Sequence, residues 1–102
     1  MSKILNYDLI YEILSAVDEI PYGNVATYGQ IARLIGRDNY SRLVGKVLSM
    51  AQYYGDYPCH RVVNHQGRLV PGWDEQRQLL SAEGVTFRAN GFVNLKLHQW
   101  DC

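Results

Sequence analysis

Residues 27–50 have the sequence TYGQIARLIGRDNYSRLVGKVLSM, which contains two short helical patterns joined by a turn. Thr27 can cap the first helix, whose apolar residues recur at three- and four-residue spacing until Gly36 ends it. The second pattern runs from about Tyr40 to Met50. Its inward positions are all apolar: Leu43, Val44, Val47 and Leu48. Two short helices around a glycine-containing turn predict a helix-turn-helix.

The segments on either side of residues 27–50 predict further elements. Before it, Asn6 can cap a helix over Tyr7–Val17 that ends ahead of Pro21. After it, residues 51–58 form a loop, and the valines of Cys59–Val63 indicate a short buried strand. Asp74 can cap a helix that ends at Gly84, and Asn90-Gly91 predicts a two-residue hairpin turn with positive φ at both positions. These elements indicate a winged-helix-like helix-turn-helix domain, mainly α with a small β element.

Composition limits the class of protein. The chain has 102 residues, of which 47% are hydrophobic and 20% charged, so we expect one domain over residues 1–102. No apolar run resembles a signal peptide or a membrane span, so a cytoplasmic protein without membrane contact and, by default, a monomer is expected. The net charge of zero disfavours a binder with a uniformly basic surface. The charge is unevenly distributed, however: residues 1–20 carry −3 and residues 21–50 carry +3.

Two cysteines, Cys59 and Cys102, do not form a disulfide framework, so each is judged by its surroundings. A nucleophilic cysteine needs a base or a cation within reach. His60 follows Cys59, but neighbours in a strand point to opposite faces, so a bridging water is the expected link between them. A buried structural cysteine remains the alternative.

The remaining residues that could carry chemistry are those of metal-ligating type and the cations of the third helix. The cysteines and histidines lack the paired spacing of zinc motifs, so we expect neither a metal nor another cofactor. Arg42 and Lys46 lie four residues apart on the outer face of the third helix. They are either a solvated stripe or a contact to phosphates.

Four segments resemble, in order and spacing, the DNA-binding domain of O6-alkylguanine-DNA alkyltransferases: residues 20–23 (IPYG), 27–32 (TYGQIA), 41–45 (SRLVG) and 58–63 (PCHRVV). The resemblance extends from about Tyr7 to Val85. The short chain and its residues 76–85 and 94–100 are more similar to the alkyltransferase-like proteins. Those relatives typically have tryptophan or alanine at the position of Cys59, and they bind the lesion without removing the alkyl group.

The resemblance implies catalytic roles. Cys59 corresponds to the alkyl acceptor, His60 to the residue that activates it through a water, and Glu83 to the residue that orients the histidine. Tyr28 corresponds to the tyrosine that crowds the phosphate beside the lesion and can donate a proton to the departing guanine.

The resemblance also implies contacts to DNA and to the alkyl group. Arg42 corresponds to the arginine that fills the gap left by a flipped base. The family docks on the minor groove, where small residues at Ser41 and Gly45 allow close approach, although small residues are also common in helix packing. Trp73, with Val62, can wall an alkyl pocket, but core packing explains Trp73 equally well.

Three functions follow as hypotheses, the first two with duplex DNA containing O6-alkylguanine as the partner. The first is irreversible transfer of the alkyl group to Cys59. The second is binding of the lesion without transfer, which flags it for nucleotide excision repair proteins. The third, a transcription factor, is disfavoured because the third helix lacks the usual Asn, Gln and Arg set for major-groove base edges.

Overall fold

The computed structural model describes residues 7–101. Helix α1 covers Tyr7–Asp18 and buries one face: Ile10, Ile13, Leu14, Ala16 and Val17. This confirms the predicted amphipathic helix, while its predicted cap, Asn6, lies outside the described residues. The buried face of α1 forms much of the main hydrophobic core, against which the next two helices pack.

The helix-turn-helix consists of α2, Tyr28–Leu34, and α3, Ser41–Ser49. Thr27 caps α2 as predicted, because its hydroxyl accepts a hydrogen bond from the backbone N–H of Gln30 at 3.1 Å. The side chain of Gln30 in turn accepts from the Thr27 N–H at 3.0 Å, which completes a capping box. Gly36 then ends the helix with a φ of +74°, in the left-handed region that suits glycine.

The inner and outer faces of α3 are those that the sequence predicts. Val44 and Val47 are buried in the main core, and Leu43 and Leu48 pack against it. Arg42 and Lys46 are exposed. The orientation of α3 is therefore set by its apolar face, which leaves both cations in solvent.

A two-stranded parallel sheet connects the helix-turn-helix to the segment that contains Cys59. Strand β1, Ala26–Thr27, pairs with β2, Val62–Val63, with Ala26 opposite Val62. Both strands are buried, which confirms the strand expected at the two valines. Val25, just before β1, also bridges to Gln99, so three distant segments meet at this point.

Helix α4 covers Glu75–Ala82 and packs on a second, smaller core: Val25, Val63, Leu80, Val85 and Val93. Asp74 occupies the N-cap position as expected, but its side chain makes no capping hydrogen bond. Gly84 ends the helix with a φ of +89°. The predicted helix from Asp74 to Gly84 is thus confirmed in position, without the predicted contribution of the Asp74 carboxylate.

The two-residue hairpin turn predicted at Asn90-Gly91 is wrong. Within the described residues only glycines have positive φ, so Asn90 does not adopt the conformation that such a turn requires. The Arg88 N–H instead donates to the Phe92 carbonyl at 2.8 Å, which closes a three-residue loop with Gly91 in the left-handed position. Shortly after this loop, Leu95 begins the short helix α5, Leu95–His98.

The described residues form a mainly helical domain with a small β element around a helix-turn-helix, which confirms the predicted fold class. None of the helices in residues 7–101 has the length and apolar character needed to cross a bilayer.

Candidate functional site

A groove of about 550 Å³ lies along the helix-turn-helix. Tyr28 and Arg33 line it from α2, and Ser41, Arg42 and Gly45 line it from α3. The cation Arg33 was not predicted, although its place on the outer face of α2 could have indicated it. Lys46 is exposed on α3 but is not among the residues that line the groove.

A smaller cavity of about 130 Å³ lies behind the groove. Its walls come from four segments: Tyr28, Gly45, Leu48, Ser49, Cys59, Val70 and Trp73. Tyr28 and Gly45 line both this cavity and the groove. The cavity adjoins a second space of about 200 Å³, which shares Leu48, Ser49, Cys59 and Trp73 and also reaches Asp56. Four predicted site residues, Tyr28, Gly45, Cys59 and Trp73, are thus brought together.

The second predicted pocket residue, Val62, is placed elsewhere. Its side chain is 1% exposed in the main core, and it does not line either cavity. Its neighbour along β2, Val63, is buried in the smaller core. Val70, which sequence reasoning did not select, supplies a valine to the cavity wall instead.

Cys59 lies in a 3-10 turn over Cys59–Arg61, and not in the strand that was expected there. The Cys59 N–H donates to the Tyr57 carbonyl at 2.8 Å, and the Arg61 N–H donates to the Pro58 carbonyl at 3.0 Å. The sequence argument from strand alternation, which placed Cys59 and His60 on opposite faces, therefore does not apply to these residues.

The environment of Cys59 favours its thiol form. Burial of the sulfur and, to a smaller degree, the nearby carboxylate of Asp56 raise the pKa of Cys59 to about 11. Burial, together with the proximity of Cys59, also raises the pKa of Tyr28. Both side chains are therefore protonated at neutral pH in the free protein.

His60 and Glu83 form the pair that the resemblance implies. Nε2 of His60 lies 2.6 Å from Oε2 of Glu83. Burial alone would raise the pKa of Glu83, but hydrogen bonds from Arg61, His60 and the Gly23 N–H outweigh it and hold the pKa below its usual value. In the tautomer that carries its proton on Nε2, His60 donates to this carboxylate and Nδ1 is the acceptor nitrogen of the ring.

Arg61 is a member of this cluster that sequence reasoning missed. Its Nε lies 3.0 Å from each carboxylate oxygen of Glu83, and its Nη2 lies 2.9 Å from Oε2. Its Nη1 donates to the Ile20 carbonyl at 2.9 Å, and its guanidinium lies 5.6 Å from the centre of the Tyr22 ring. Arg61 thereby fixes the carboxylate and connects the 3-10 turn to Ile20, two residues beyond the end of α1.

Gln76 is a second residue that sequence reasoning missed. It is fully buried in α4, and its Nε2 donates to the carbonyls of His60 and Val62, at 3.1 Å each. Its Oε1 accepts from the Val70 N–H at 2.7 Å. One side chain therefore holds the backbone of the turn at His60 and the backbone of the cavity wall at Val70.

Comparisons with known proteins agree with this geometry. A family model described as the DNA-binding domain of 6-O-methylguanine DNA methyltransferase matches residues 8–85. A DNA base-flipping protein of Vibrio parahaemolyticus is 36% identical over 94 residues, which cover 89% of this chain and 94% of that protein. A methylated-DNA–protein-cysteine methyltransferase of Methanosarcina acetivorans is 40% identical over 75 residues, which cover 71% of this chain and 48% of that protein.

A solved structure extends the likeness over the whole chain. Schizosaccharomyces pombe Atl1, in complex with damaged DNA containing O6-carboxymethylguanine, superimposes with a TM-score of 0.84 and 32% sequence identity. The match covers 100% of both chains. The fold of this chain, with its helix-turn-helix, is therefore shared with that protein.

Proposed function

The chain belongs to the family defined by the DNA-binding domain of 6-O-methylguanine DNA methyltransferase, and on that premise we propose that it recognises O6-alkylguanine in duplex DNA by base flipping. One observation carries the proposal: Tyr28 and Gly45 line both the helix-turn-helix groove and the cavity at Cys59. The groove and the cavity are therefore adjacent, which supports movement of a nucleotide from a duplex docked in the groove to the cysteine.

Each groove residue has a separate role in base flipping. Extruding a base costs a few kcal/mol in stacking and pairing, less for an O6-alkylguanine that pairs poorly. Arg42 is exposed at the groove, and its planar guanidinium is suited to stack in the vacated position. Ser41 and Gly45 keep α3 narrow for minor-groove contact, and Lys46 meets the phosphates beside it. Tyr28 crowds the backbone at the lesion.

An Arg42 series tests the flipping step. We expect Arg42→Ala to weaken binding to a duplex with O6-methylguanine by more than tenfold, roughly the loss of a stacking partner. Arg42→Lys keeps the charge but loses the planar group, so it should recover little of that affinity. The control is Arg77→Ala, which removes one positive charge at an exposed position of α4. Full affinity in Arg42→Ala would contradict the proposal.

For the flipped base we propose transfer of the alkyl group to Cys59. The thiol proton passes through a water to Nδ1 of His60, the sulfur attacks the alkyl carbon, and the bond from that carbon to O6 breaks with its electron pair on guanine. Tyr28 protonates the departing guanine and then takes up a proton from solvent, while His60 releases to solvent the proton that it received from the thiol. A thioether remains on Cys59, so each molecule reacts once. The hydrogen bond between His60 and Glu83 supports this assignment.

Recognition without transfer is the second candidate, and the protonation state of Cys59 favours it. A thiol whose pKa is raised to about 11 is rarely a thiolate at neutral pH. The names of the base-flipping relative and of alkyltransferase-like protein 1 of S. pombe, 36% identical over 92 residues, also agree with a binding role. In this case the bound lesion would be passed to nucleotide excision repair proteins.

Intact mass after incubation with an O6-methylguanine duplex separates the two. A gain of one methyl group that is lost in Cys59→Ser establishes transfer. An unchanged mass, with tight binding to the same duplex, establishes recognition alone. No preference for the alkylated duplex over an undamaged one contradicts both.

A further inference from the structure

The paired cavities at Cys59 contain one charged side chain among the described residues that line them. That residue is Asp56, in the wall of the larger space together with Cys59 and Trp73. The remaining lining residues are apolar, aromatic or neutral polar groups. Arg33 and Arg42, the cations of this region, line the helix-turn-helix groove and neither of the two cavities.

The backbone before Cys59 holds Asp56 on this wall. Gly55 has a φ of +146°, and its N–H donates to the Ala51 carbonyl at 3.2 Å. A Cβ atom at Gly55 would lie 3.1 Å from the ring of Tyr57, so the chain folds closely over that ring. The following turn, closed by the Cys59 N–H on the Tyr57 carbonyl, brings Asp56 and Cys59 to the same space.

The negative charge of Asp56 already affects one group in the cavity, the thiol of Cys59. After burial, the carboxylate of Asp56 is the second cause that raises the pKa of Cys59, because it opposes negative charge on the sulfur. An anionic substituent on a flipped base would occupy the same space and would meet the same repulsion, which is partly screened by water because Asp56 is exposed.

We propose that Asp56 makes the cavity select against O6-substituents that carry a negative charge, such as carboxymethyl, in favour of neutral or cationic substituents of equal size. The inference rests on the proposed function, and it adds the class of lesion that the site accepts. The S. pombe Atl1 complex contains O6-carboxymethylguanine.

Two isosteric lesions test the selection. Duplexes with O6-carboxymethylguanine, O6-carbamoylmethylguanine or undamaged guanine are titrated against the full chain, with Cys59→Ser in every protein so that only binding is measured. With Asp56 present, we expect the neutral carbamoylmethyl duplex to bind roughly three- to tenfold more tightly than the carboxymethyl duplex, the range for a partly screened charge pair.

The variant Asp56→Asn should bring this ratio close to one. Asp18→Asn, at the exposed end of α1, changes the net charge equally and should leave the ratio as it was. The ratio cancels any general gain in DNA affinity that either variant produces.

Equal affinities for the two lesions in the Asp56 protein would overturn the inference, and so would a ratio that persists in Asp56→Asn. Failure of the proposed function gives a different result, because no lesion duplex would then bind more tightly than the undamaged one.

Discussion

The variant Gln76→Met tests whether α4 holds the cysteine turn in place. Methionine has a similar length and helix propensity, so the change mainly removes the polar atoms of the side chain. Three backbone groups lose their partner: the carbonyls of His60 and Val62 and the N–H of Val70. The hydrogen bond to the Val62 carbonyl is buried. The bonds to the His60 carbonyl and the Val70 N–H are part-buried, so water can partly replace the lost partner at these two groups.

The expected loss follows from those three groups. A buried group without a partner costs about 1–3 kcal/mol, and groups that rehydrate cost less. The apolar methionine no longer has a buried amide to desolvate, which offsets part of the loss. We therefore expect the free energy of unfolding to fall by about 3 kcal/mol, a large fraction of the total for a domain of this size.

Urea denaturation followed by circular dichroism measures this loss. The control is Gln78→Met, the same substitution at an exposed position of the same helix. Gln76→Met should also increase the rate at which a thiol reagent modifies Cys59, because the turn is then held less firmly. A stability within about 0.5 kcal/mol of the control would refute the reasoning, since surface substitutions fall within that range.

Three further predictions concern single residues. The pKa of about 11 for Cys59 predicts that its alkylation by iodoacetamide, followed by peptide mass spectrometry, still accelerates with pH above the ordinary thiol value of 9.0, whereas a plateau below that value would contradict it. The pKa of Glu83 is lowered by folding, so its stabilisation is complete above the unfolded value of about 4.3 and is lost as the pH falls further. Urea titrations below about pH 4.3 should therefore show a steeper loss of stability than in Glu83→Gln, and parallel profiles would disprove this. Gly67→Ala should cost about 2–4 kcal/mol in thermal or urea unfolding, because φ is +89° and the new Cβ would lie 2.7 Å from the Val93 carbonyl oxygen. Gly72→Ala, with a similar φ of +83° and no atom within 4 Å, isolates the backbone strain and should cost only about 1–2 kcal/mol.

The helix-turn-helix could be predicted from the sequence because its signals are local. Thr27 and Gly36 act on the backbone within a few residues of themselves, and the apolar spacing of α3 determines which face is buried. The same is true of Gly84 at the end of α4. Such signals need no knowledge of distant segments, so the predicted boundaries of α2 and α3 lie within one or two residues of the observed ones.

The cysteine turn could not be predicted in the same way. Val62 and Val63 correctly indicate a strand, but the residues before them are held in a 3-10 turn by Gln76 and Glu83, which follow 14 or more residues later. Nothing near Arg61 in the sequence shows that it shares the carboxylate of Glu83 with His60. For Gln76 a signal did exist, since it lies four residues before the buried Leu80 on the same helix face.

The meeting of three chain segments at Val25–Thr27 has a consequence for the order in which the molecule folds. Ala26 pairs with Val62, while the Val25 N–H donates to the His98 carbonyl at 2.9 Å and the Trp100 N–H donates to the Val25 carbonyl at 2.7 Å. Contacts of such wide sequence separation form slowly, because the intervening loops must close first. On the ribosome, α1 to α3 can assemble early, whereas the segment that begins α2 acquires its last partners only after Trp100 has emerged. Lesion binding should accordingly appear late in synthesis, in one step with the docking of the C-terminal residues.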